Sequence, residues 1–76
     1  MRYNCMKKSK LRREKLQQLE SARQDVLSLR GEMEKALSVF NATPDPELVE
    51  TSILELRALE ARYSHALRVL KSISEA

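Results

Sequence analysis

Apolar residues recur along this chain at alternating intervals of three and four. The first run is Leu19, Ala22, Val26, Leu29, Met33, Ala36 and Phe40; the second is Val49, Ser52, Leu56, Leu59, Tyr63, Ala66, Leu70 and Ile73, polar only at Ser52. This spacing keeps every member on one side of an α-helix, and over several turns it draws a continuous seam. The pattern predicts helices over residues 9–40 and 46–74, joined by a loop over 41–45. Gly31 alone interrupts the good helix formers of the first run, at roughly 1 kcal/mol relative to alanine, too little to break a helix packed on a partner.

The junction reads Asn41-Ala42-Thr43-Pro44-Asp45-Pro46-Glu47. Asn41 tolerates the left-handed conformation that often ends a helix. Asp45 precedes a proline, which biases it away from helical dihedrals and suits it to the N-cap, and Pro46 suits the first helical position, where a missing N–H costs nothing. Glu47 then lies at the positive end of the helix dipole.

Helices of about 32 and 29 residues would measure about 48 and 43 Å at 1.5 Å per residue. Such matched lengths with a short loop predict an all-α fold, an antiparallel two-helix hairpin of coiled-coil type. A pivot near Thr43 would set Met33 near Ile53, Val26 near Leu59 and Glu60, and Leu19 near Leu67. Leu48, Ile53 and Leu67 widen the second seam, while Leu16 and Leu27 widen the first, so two helices do not cover all the apolar surface. Leu16, Leu27, Leu48 and Ile53 are therefore candidate self-association residues, through which two hairpins would form a four-helix bundle.

One glycine, two prolines and 4% aromatic residues argue against a β-rich fold. At 76 residues the chain is at most one domain, near the size at which a single core struggles to offset conformational entropy. Its net charge of +3 is unevenly divided. Arg2, Lys7, Lys8, Lys10, Arg12, Arg13 and Lys15 face a single acid, Glu14, within the first fifteen residues, and the rest of the chain is net acidic. Residues 1–8 read as a flexible basic arm, residues 9–76 as the hairpin domain. The seven cations are candidate contacts for a polyanion, a nucleic acid above all, held through counterion release.

Catalytic and metal-binding patterns are thin. The lone histidine, His65, falls on the polar side of its helix, so a solvent-facing residue is expected rather than an acid–base or ligand site. Cys5 is the single cysteine; it permits no intrachain disulfide, and near a basic terminus it reads as a free thiol. Asp45, Glu47 and Glu50 cluster, but capping explains the first two, and the oxygen ligands and glycine turn of a calcium loop are missing. Tyr63 belongs to the seam, and Tyr3 and Phe40 cannot join it in a stacking platform for single-stranded nucleic acid. Neither a signal-peptide core nor about 18 uninterrupted apolar residues for a membrane span is visible, which predicts a cytoplasmic protein.

The run Asp45-Pro46-Glu47-Leu48-Val49-Glu50, then Ile53-Leu54-Glu55-Leu56, Ala58-Leu59-Glu60-Ala61-Arg62-Tyr63 and Leu67, resembles the YaaL-like family of short bacterial proteins. The likeness covers about the second half of the chain; the first half agrees in being basic and then helical. Glu50 stands where that family commonly has aspartate, and Leu54 where an aromatic is frequent. The resemblance implies a cytoplasmic bacterial protein and transfers no activity, cofactor or catalytic residue.

The sequence thus leads to a non-enzymatic interaction or adaptor module acting through helix faces, with no cofactor and no small-molecule substrate. Its partner would be a second copy (a homodimer) or another protein. The alternative is a nucleic-acid-binding accessory protein that uses the basic arm.

Overall fold

Asp45 starts the second helix. Its Oδ1 accepts the Glu47 N–H at 3.0 Å and its carbonyl accepts the Val49 N–H at 3.0 Å, so an otherwise unpaired amide of the first turn is satisfied by the cap. The computed structural model describes residues 2–75, with side chains described from Ser9 to Glu75. In it, helix α1 spans Arg2–Ala42 and helix α2 spans Pro46–Glu75, packed against each other as an all-α hairpin.

The bounds differ from the sequence reading at the turn. Asn41 stays helical and no described residue has a positive φ, so the left-handed stop expected at Asn41 is not used. Thr43 ends the helix instead: its N–H reaches the Phe40 carbonyl at 3.4 Å, and its Oγ1 donates to the Val39 carbonyl at 2.7 Å. With those carbonyls met by Thr43, a left-handed residue has nothing left to satisfy. The loop is residues 43–45 rather than 41–45, and α2 ends at Glu75 rather than at residue 74.

At its other end α1 begins at Arg2, ahead of the start predicted at residue 9, so the helices have 41 and 30 residues and are not matched. The apolar seam that guided the prediction begins only where α1 meets α2, whereas helix propensity continues through the Lys- and Arg-rich segment before it. The reading of residues 1–8 as a flexible arm falls outside the residues whose side chains are described. The described Cα atoms extend over 67 × 15 × 12 Å, a rod one helix pair thick.

Every residue of the two predicted seams is buried or half-buried, and among the described residues only Lys15, Gly31 and Thr43 join them. Among the described residues only small side chains are buried, Ala22, Ser52 and Ala66, at 5%, 7% and 9% exposure. Two helices cover a side chain from one direction only, so a group little larger than a methyl can disappear between them while Leu, Tyr and Phe keep an edge in water. Half-burying a leucine contributes on the order of 1 kcal/mol, which makes the isolated hairpin a thin structure.

An open groove on one side of the hairpin is lined by Asp25, Ser28, Leu29 and Glu32 from α1 and by Ala61, Arg62, His65 and Ala66 from α2. It fixes the level at which the helices pass. Carried along the seam, that level sets Phe40 with Ser52, Ala36 with Leu56, Met33 with Leu59, Leu29 with Tyr63, Val26 with Ala66, Ala22 with Leu70 and Leu19 with Ile73. Each buried small residue is thereby level with a larger one, the large-against-small alternation that fills a narrow interface. The pairings expected from a pivot near Thr43 (Met33 with Ile53, Val26 with Leu59 and Glu60, Leu19 with Leu67) are displaced by about one heptad. At this level Phe40, half-buried close to the end of α1, falls opposite the small, buried Ser52.

Candidate functional site

In an antiparallel pair, equivalent flanking positions of the two seams share a side. The groove identifies one of them. Asp25 and Glu32 border it from α1 and Arg62 from α2, so Leu11, Gln18 and Val39 belong to this side, with Leu48, Glu55 and Val69. The opposite side carries Leu16, Arg23, Arg30 and Leu37 from α1 and Ile53, Glu60, Leu67 and Ser74 from α2. Beyond these lies an outer row, Glu20, Leu27 and Glu34 on α1 and Arg57, Ser64 and Lys71 on α2.

Among the described residues, ten large apolar side chains are exposed. Five of them, Leu16, Leu27, Leu37, Ile53 and Leu67, lie on the second side and are spread along the length that α1 and α2 share. On the groove side, Val39 and Leu48 gather near the turn, Leu11 lies in the basic stretch and Val69 stands apart; charged residues stand between the apolar ones on both sides. Leu54 points away from both.

The candidate self-association residues separate accordingly. Leu16 and Leu27 are each 59% exposed and Ile53 37%, all on one face. Leu48 is 54% exposed on the other. A wide apolar arc in the sequence resolves into two flanks only when the partner helix supplies the dividing line. Leu37, which the sequence reading did not single out, belongs with Leu16 and Leu27; its adjacency to Ala36 of the seam was the signal available.

Of the candidate polyanion contacts, Lys10, Arg12 and Arg13 are exposed on α1, and Lys15 is half-buried at the end of the seam. Arg2, Lys7 and Lys8 lie outside the residues whose side chains are described, as do Cys5 and Tyr3. At the level fixed by the groove, Lys10 to Arg13 stand past Glu75, the last described residue of α2. Among the described residues, none of Lys10, Arg12 and Arg13 forms an ion pair with the second helix.

His65 is exposed at the groove, with Asp25, Ser28 and Glu32 contributed to the lining from across the interface. Among the described residues no group of three His, Cys, Asp or Glu side chains is placed to hold a metal ion. Asp45 is engaged as a cap, and Tyr63 is half-buried in the seam. The ion pairs Arg30–Glu34 at 3.8 Å and Lys71–Glu75 at 4.0 Å each join successive turns of one helix, are largely exposed, and contribute little to stability. No helix among the described residues is long and apolar enough to cross a membrane.

Comparison with protein-family models, with curated proteins and with solved structures finds no match to this chain.

Proposed function

We propose that this chain is a non-enzymatic interaction module of the cytoplasm that binds a protein partner through the face bearing Leu16, Leu27, Leu37, Ile53 and Leu67. One observation carries the reading. The hairpin fully buries no large side chain among its described residues, yet leaves five large apolar groups exposed along one side. Large apolar side chains gathered exposed on one side of a small domain, here with Arg23, Arg30 and Glu60 among them, mark a place where another surface docks, and a partner would supply the burial that two helices cannot. The single cysteine fits a reducing compartment. The resemblance of residues 45–67 to the YaaL-like family fits a bacterial protein of this kind and adds no residue role.

A photo-crosslinking amino acid at position 27, compared in cells with one at Ala58 on the groove side, tests the reading. Adducts from position 27 and none from position 58 support it. Equal labelling, or none from either, removes the face as the contact.

A second reading is favoured by the placement of Lys10, Arg12 and Arg13 past the end of α2. These residues would hold a nucleic acid by its phosphates, with affinity falling steeply as salt rises. Titration of a fluorescent RNA across a salt series checks it: replacing all three by alanine must weaken binding and flatten its salt dependence, and an unchanged slope rejects the reading.

A further inference from the structure

We infer that the occupant of the apolar face is a second copy of this chain, packed about a two-fold axis parallel to the helices, so that each α1 lies on the partner's α2 and both turns point the same way. The inference rests on the interaction-module reading above and names its partner. The case for it is the charge pattern of the outer rows. At the level set by the groove, Glu20 on α1 stands within about a turn of Lys71 on α2, and Glu34 within about a turn of Arg57. Inside one hairpin these rows diverge from the seam on opposite helices, so the complementary charges do not face each other across the pair; among the described residues Glu34 and Lys71 meet only Arg30 and Glu75 of their own helices, and Glu20 accepts from Gln24. The proposed axis brings them together, because it preserves the level along the rod while exchanging α1 for α2.

The rest of the face follows the same order. Leu37 comes to the level of the partner's Ile53, Leu27 to that of the partner's Leu67, and Arg30 to that of the partner's Glu60. The size is also adequate. The 30 residues of α2 run about 45 Å, and a face of that length and two helices wide offers roughly the 800 Å² per partner of a stable interface. The existing Arg30–Glu34 and Lys71–Glu75 contacts are exposed and weak, so they do not hold these residues back from a partner.

Sedimentation equilibrium of the full chain, with helicity followed by circular dichroism, tests the arrangement. The native chain is expected to be a dimer. Glu34→Arg and Arg57→Glu, both on the surface and compatible with folding, should each raise the Kd about tenfold, and the double swap should restore most of the loss. A dimer indifferent to both swaps, or swaps that do not compensate, overturns the axis, and a helical monomer at high micromolar concentration overturns self-association. In either case the crosslinking at position 27 judges the broader reading separately, since an adduct with a different protein preserves it.

Discussion

Leu29 of α1 and Ala66 of α2 line the same groove, and this shared wall fixes the level at which the two helices pass. From it follow the pairs Val26 with Ala66 and Leu29 with Tyr63, and the displacement by about a heptad from the pairing that a simple pivot at Thr43 gives. In a Cys5→Ser background, cysteines at positions 26 and 66 are expected to form an intrachain disulfide under mild oxidation. Cysteines at positions 26 and 59 should remain reduced, because two turns of offset carry their Cα atoms beyond the 7 Å that a disulfide spans. The reverse order, read by thiol titration and non-reducing electrophoresis, would refute the stagger.

The cap at Asp45 should be separable from the turn around it. Asp45→Ala removes the acceptor of the Glu47 N–H and is expected to cost about 1 kcal/mol, while Asp45→Asn keeps an oxygen acceptor and recovers most of it. Urea unfolding of the three proteins measures this; equal midpoints for Ala and Asn would show that the carboxylate oxygen contributes nothing.

Gly31→Ala is expected to stabilise the hairpin. A Cβ built at Gly31 meets no atom within 4 Å, and its φ is not positive. The substitution therefore gains helix propensity of up to about 1 kcal/mol without a clash. For a domain this small that is a rise in Tm of about 4–8 °C, and a fall would mean that position 31 is covered by something a single hairpin does not contain.

Leu59→Asp should abolish cooperative thermal unfolding. Leu59 is half-buried at the level of Met33, and a carboxylate there would be drawn from water with no partner, on a seam whose individual leucines contribute on the order of 1 kcal/mol. His65→Ala, on the exposed side of the same helix, should change stability by less than about 0.5 kcal/mol. A sigmoidal melt for the Asp variant with an unshifted midpoint would show that the seam is not what holds the hairpin.

How far the sequence reached is visible at particular residues. The seam positions from Leu19 to Phe40 and from Val49 to Ile73 are all at least half-buried, because alternation of three and four leaves one geometry in which those side chains meet. Asp45 and Pro46 take the cap and first-turn positions, since proline excludes most alternatives locally. Two features needed the tertiary structure. A seam that repeats every seven residues looks the same after a shift of seven, so periodicity could not choose between Val26 with Leu59 and Val26 with Ala66. The groove that joins residues 25–32 of α1 to residues 61–66 of α2 distinguishes them, because it exists only once the two helices have packed. The widened apolar arc likewise named Leu16, Leu27, Leu48 and Ile53 without dividing them, and Leu48 was separated from the others only when α2 packed on α1 and gave the rod two sides.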